Sequence, residues 1–383
     1  MEDQGKMKVK TTQEALSEGI GIAGKAIASR SINPLFQYLE LHAAEGKLIL
    51  TGSDGDLVIK TEVEAEVEEH GTFLVQAKPL RDLIARFPHS GVDLVRNDNV
   101  LEVRDGSGAL YYKLYGIEDT SFPDIPPYSD KLVVELSAGL LRKGLGLTSF
   151  ATNRGETSQQ FTAGVYFNFE GDKLDLVGTD SHRLSLYELN LVSPNPPSVS
   201  LLVPIAVADH LESLLPEGDE EAVGVYHVDG QVVFTFHHRE GLNTWVSSRL
   251  LDVKYPDYRR VIPSEAEATV SIPRVQFMEV LRRVIPFAKY HTQNPVVRIE
   301  SKDGQLKVST EAGEVGEGEE TIPVAVEGKD VLVAFNPQYM NDCLSALEVE
   351  RVNLHWRDPS SAMLIDSPEE PSFKYVLMPI RLD

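Results

Sequence analysis

The chain reads as an α+β protein made of three tandem repeats, each running helix, strands, second helix, further strands. Three observations predict this. One hairpin layout occurs three times, each copy is flanked by two amphipathic helical stretches, and the copies recur at roughly 120 to 130 residues. The length of 383 residues agrees, because one hydrophobic core stops growing well short of that size.

The elements follow in order. The hairpin is GKLILTGSDGDLVIKTEVE from Gly46, GDKLDLVGTDSHRLSLYELN from Gly171 and DGQLKVSTEAGEVGEGEETIP from Asp303. Each copy has a Gly-containing turn and then an alternating run, with Leu48 and Leu50, Leu174 and Leu176, or Leu306 and Val308 on the apolar side. That period of two marks strands with one buried face. Ahead of each hairpin lies a candidate helix, from Thr12, Ser137 and Pro273. Beyond it comes a second, AKPLRDLIARF, VPIAVADHLESLL and NPQYMNDCLSAL, with a proline at or near its start and apolar residues three and four apart. More strands close each copy. Pro-rich SFPDIPPYSDK and the IPSEAEA segment mark linkers, which divides the chain into a polar extension over 1–6 and domains over 7–128, 129–264 and 265–383.

Hydrophobic content of 42% and charged content of 25% are those of an ordinary globular protein. The N-terminus has no apolar core and no run of 18 apolar residues follows, so neither secretion nor a membrane span is expected. The single Cys343 excludes an internal disulfide and a thiolate cluster, which fits a reducing cytoplasm. The net charge of −23 argues against tight wrapping of nucleic acid. A protein that surrounds DNA loosely needs only a locally positive lining, and the cations do gather on the helices. The candidate DNA-facing cations are Lys25, Arg30, Lys78, Arg81, Arg86, Arg142, Lys143, Arg154, Arg274, Arg282, Arg283 and Lys289, while acidic runs such as TEVEAEVEEH crowd the strands.

Catalysis finds little support. Thr179, Asp180, Ser181, His182 and Arg183 hold a Ser, a His and an Asp together, but a triad assembles in space from separated positions, and no nucleophile elbow occurs. His237 and His238 are neighbours in a strand and face opposite sides, with no further ligand at metal spacing. No phosphate-cradling loop is present. Cys343, among Met340, Leu344 and Leu347, reads as core. No catalytic residue, metal or cofactor is therefore assigned. The apolar end YVLMPIRLD reads both as a strand with a buried face and as an exposed binding patch.

Three motifs, TDSHRL (Thr179 to Leu184), YPDYRRVIP (Tyr255 to Pro263) and VLMPIRL (Val376 to Leu382), in this order and separation, resemble the β sliding clamps of bacterial DNA polymerase III, and the likeness runs from Met7 to the end. The resemblance implies three domains of the DNA clamp fold, each with two helices packed on antiparallel sheets. It further implies that two subunits close head to tail into a six-domain ring around duplex DNA, with helices lining the hole. A pocket for short linear motifs is implied at Thr179, Ser181, His182, Arg183 and Leu184, with Pro256, Arg260 and Val261, and with Val376, Leu377, Met378, Pro379, Ile380, Arg381 and Leu382. Its implied visitors are the clamp loader, replicative and repair DNA polymerases and ligase-type partners. The subunit seam is expected at Tyr111 to Tyr115 against Ile285 and Phe287. The chain departs from the family at Ser181, which stands in place of glycine, at Ile380, in place of methionine, and at the added Asp383. Ile205 and Ala206 replace basic residues, so less positive charge is expected on that helix.

The resulting expectation is a non-catalytic processivity factor acting as a cytoplasmic homodimer. The rivals are a hydrolase using Asp180 and His182, and a three-domain protein-binding scaffold that does not encircle DNA.

Overall fold

The computed structural model describes residues 6–27, 33–191, 197–216, 218, 221–239, 241–289, 295–311 and 316–381. The chain divides into two compact units, one of 1–142 with 210–250 and one of 143–209 with 251–383, so the middle repeat contributes to both. Among the described residues the strands of the first unit form one 13-stranded sheet, and those of the second form a nine-stranded and a four-stranded sheet. Every described pairing is antiparallel, as hairpin-rich alternating sequence requires.

The predicted hairpins are present. Lys47–Ser53 pairs with Leu57–Glu64, Lys173–Thr179 with Arg183–Asn190, and Gln305–Glu311 with Glu317–Pro323. The first strand, Lys6–Thr12, alternates exposed and buried and includes Lys6, whose backbone pairs with Asn97. Residues 1–5 of the expected N-terminal extension lie outside the described residues.

Six α-helices appear among the described residues, two per repeat: α1 (Gln13–Ala23), α2 (Ala77–Ile84), α3 (Ala138–Thr148), α4 (Ile205–Leu214), α5 (Arg274–Lys289) and α6 (Pro337–Ala346). Local chemistry sets their starts. Thr12 caps α1 by accepting the Ala15 N–H at 3.2 Å, and Asn336 caps α6 by accepting the Gln338 N–H at 2.9 Å, with Pro337 in the first turn. None of the described helices is long and apolar enough to cross a membrane.

Two glycines fix how helix meets hairpin. A Cβ at Gly52 would stand 2.1 Å from the Ala23 carbonyl oxygen, and one at Gly178 would stand 2.1 Å from that of Thr148. In both repeats the helix end rests directly on a bare strand backbone. The third hairpin carries Thr310 at the matching place, and α5 runs on through Pro286 to Lys289.

Pairing also crosses the repeat borders. Leu57–Glu64 of the first repeat pairs with Leu242–Arg249 of the second, where Thr61 Oγ1 donates to the Asn243 carbonyl at 2.9 Å. In the other unit Arg183–Asn190 of the second repeat pairs with Phe373–Leu377 of the third.

Candidate functional site

The TDSHRL motif forms the turn between Lys173–Thr179 and Arg183–Asn190. Asp180 Oδ1 accepts the N–H groups of His182 and Arg183 at 2.9 and 3.0 Å, and Thr179 Oγ1 accepts that of Ser181 at 3.1 Å. These bonds hold Ser181 at φ +75°, the left-handed region that favours glycine. Its Oγ donates to Gln159 Oε1. Of the three groups that suggest a triad, Asp180 holds the turn, Ser181 bonds to Gln159 and His182 stacks toward Tyr339.

Beside this turn lies a cavity of about 180 Å³ within the second unit. Thr179, Ser181, Arg183 and Leu184 line it from the hairpin, Pro256 and Val261 from the middle motif, and Val376 and Met378 from the C-terminal run. Phe161, Tyr255, Asp257 and Tyr258, which are not among the expected pocket residues, complete the wall. Tyr255 is buried and stacked on Tyr166, with centroids 4.1 Å apart and planes 3° from parallel, and it meets Phe161 edge-on at 5.9 Å. Tyr258 donates its hydroxyl to the buried Asp175 carboxylate, which also accepts Arg259 Nη2 at 2.9 Å. Burial holds both phenols above their ordinary pKa, and the Asp175 charge pushes Tyr258 further, so each stays a neutral hydroxyl. An aromatic and aliphatic space with a few polar groups suits one Leu or Phe anchor of a short peptide.

Other expected pocket residues do not line this cavity. Leu377 is buried and does not line the cavity; alternation puts it on the strand face opposite Val376. His182 is exposed and stacks toward Tyr339 at 6.5 Å. Arg260 is 83% exposed and pairs with Asp257 at 2.8 Å. The C-terminal run is tied by its backbone, with the Met378 N–H donated to the His182 carbonyl at 3.0 Å and the Ile380 N–H to that of Ala334 at 2.8 Å. Pro379 lies between these two ties, Arg381 is exposed, and Leu382 is outside the described residues. Arg183 is largely buried. Burial works against its charge, but Tyr375, Asp342 and Asp180 outweigh that and raise its pKa.

The candidate DNA-facing cations are mostly engaged. Lys78, Arg81 and Arg86 gather around Asp82, through its carboxylate for the first two and its carbonyl for Arg86. Lys143 pairs with Glu370, Arg154 with Asp209, and Arg283 with Glu320 through two bonds of 2.7 Å. Lys25 donates to Ser213 at 2.9 Å, and Arg142 reaches the Leu215 carbonyl. Arg274 is half-buried and donates to the carbonyls of Val349 and Leu344 at 2.8 and 2.9 Å, which makes it a tie within the third repeat. Arg282 is exposed on α5. Arg30 and the side chain of Lys289 lie outside the described residues.

The expected seam residues Tyr111 and Tyr115 lie on a strand paired along only part of one side, and Ile285 and Phe287 lie on α5. Tyr111–Ile117 pairs along one side with Val100–Asp105, but along the other it meets Gly71–Gln76 only at Gly116 and Ile117. Tyr111 and Tyr115 are exposed there, Tyr115 by 71%. In the second unit, Glu317–Pro323 is the edge of the four-stranded sheet, and α5 beside it carries exposed Phe287 and half-buried Ile285.

Among the described residues no group of three or more His, Cys, Asp or Glu could hold a metal ion. Family profiles match in three consecutive pieces: DNA polymerase III beta subunit, N-terminal domain, over residues 7–126, the central domain over 135–257 and the C-terminal domain over 259–381. The beta sliding clamp of Synechococcus elongatus is 30% identical, with 98% of this chain and 100% of that protein covered. That of Bacillus subtilis is 26% identical at the same coverage. A crystal structure of the DNA polymerase III subunit beta from Pseudomonas aeruginosa superposes with a TM-score of 0.91 at 25% identity, over 98% of this chain and 100% of that one. The chain belongs to the DNA polymerase III beta subunit family, the beta sliding clamps.

Proposed function

We propose that two copies of the chain close head to tail into a six-domain ring around duplex DNA, and that the cavity beside Ser181 captures short linear motifs of its partners. Family membership makes the chain a DNA clamp and a non-catalytic processivity factor of a DNA polymerase. The domains of this ring are 7–128, 129–264 and 265–383. Clamp loader, replicative polymerase, repair polymerases and ligase-type proteins are the proposed visitors, in the cytoplasm and near the nucleoid.

One observation carries the peptide-capture reading. All three diagnostic motifs contribute side chains to one apolar cavity, although they lie far apart in the chain. The seam reading rests on sheet edges. A strand with an unpaired side, such as Tyr111 to Tyr115, is satisfied by a partner's edge strand, and Glu317–Pro323 beside Phe287 offers one. Hold on DNA then comes from enclosure, with the exposed helix cations, Arg282 among them, supplying weak phosphate contacts.

Loaded protein should stay on circular plasmid and slide off after linearisation; equal retention on both forms would sink the ring. For the pocket, a Leu/Phe-rich peptide should bind saturably and lose affinity with Met378→Ala.

A further inference from the structure

Asp342 lies on α6 and does not line the cavity, yet its carboxylate is bonded to a residue that does. Arg183 joins the two. Its Nη1 donates to Asp342 Oδ2 at 2.8 Å, its Nε to Asp180 Oδ2 at 2.9 Å and its Nη2 to the Phe150 carbonyl at 2.9 Å. The guanidinium also lies over the Tyr339 ring at 4.3 Å, and its side chain is only 9% exposed. Asp180 uses its other oxygen to hold the turn that carries Ser181. Gln338 Nε2 donates to Asp342 Oδ1 at 2.7 Å and so orients the far end of the chain of contacts.

A guanidinium held this far from water needs its counter-charges in place, because a desolvated cation that loses one must move or draw water in. Moving Arg183 moves Asp180, and with it the backbone of the turn. We propose that Asp342 is a positioning residue for partner-peptide capture, setting the Thr179 to Arg183 wall through Arg183 and Asp180. The inference rests on the peptide-capture reading above. It assigns to a helix outside the cavity a part of the affinity that the cavity delivers.

The test uses the full chain, a fluorescent Leu/Phe-rich peptide and anisotropy titration, with melting temperature measured alongside. Asp342→Asn keeps the shape and removes the charge, and should weaken binding about tenfold, the worth of one hydrogen bond to a charged group. Gln338→Ala, a milder change should Asp342→Asn fail to fold, should weaken it about threefold, as for a neutral hydrogen bond. In an Arg183→Gln background, Asp342→Asn should cause no further loss, because its route is already cut. Unchanged affinity in folded Asp342→Asn, or full additivity with Arg183→Gln, would overturn the inference while wild-type binding that is lost in Met378→Ala leaves the pocket reading standing. Absence of wild-type binding would remove both.

Discussion

Replacing Gly178 with alanine tests the contact that seats α3 on its hairpin. The new Cβ would fall 2.1 Å from the Thr148 carbonyl oxygen and 3.0 Å from its carbon, where ordinary contact begins near 3.4 Å. Neither partner is a flexible side chain. Strand and helix end must separate by about 1 Å, which loosens the packing of Gly144 on Leu176 and Tyr187. Overpacking of this kind costs about 3 kcal/mol. For a unit of this size that is a fall of roughly 10 °C in melting temperature. Gly171→Ala is the control, since its φ is +65° but the space around it is open, so only backbone strain of about 1 kcal/mol applies. Differential scanning calorimetry of the three proteins should rank Gly178→Ala far below Gly171→Ala and wild type. A Gly178→Ala melting temperature within about 3 °C of wild type, or a larger loss in Gly171→Ala, would refute the argument.

His238 is half-buried, with no hydrogen-bond partner for Nε2 among the described residues, and burial lowers its pKa; His42 is shifted the same way by burial and then by Lys60. The unfolded chain therefore takes up the proton first, and stability present above about pH 6.5 is lost as pH falls through that value. Unfolding midpoints at pH 7.5, 6.5 and 5.5 should drop for wild type and drop less for His238→Phe, and parallel lines for the two would contradict this. Tyr258→Phe takes a donor from buried Asp175 and should cost about 2 kcal/mol in denaturant unfolding, a loss under about 0.5 kcal/mol being the refuting result. Arg274→Ala removes the side-chain donor from two carbonyls and should cost about 2 kcal/mol of stability without altering the salt dependence of DNA association. Arg282→Ala should do the reverse, lowering the slope of log affinity against log salt by about one; an unchanged slope would remove Arg282 from the DNA face.

The repeat was legible because alternation and capping are local. Leu174 and Leu176 declare a strand, and Asn336-Pro337 declares a helix start, without reference to anything distant. Facing is less local. Val376 and Leu377 are equally apolar, and only the strand's orientation against its neighbours decides which meets the cavity. Phe161 was missed because it sits in a short 3-10 turn outside every motif, and Tyr255 because a stacking partner, Tyr166, lies far away in sequence. Arg274 shows the same limit for charge. A basic residue opening a helix reads alike whether it meets water or the carbonyls of Leu344 and Val349.

The strand pairings that cross the repeat borders have a practical side. A fragment cut out at those borders would bare the hydrogen-bonding edge of Leu57–Glu64 or of Phe373–Leu377, each of which now has a neighbour from the adjoining repeat. Such an edge zips onto any extended segment it meets, so one-repeat pieces should precipitate rather than report on a module. Dissection of this protein is better done by point substitution in the whole polypeptide than by truncation.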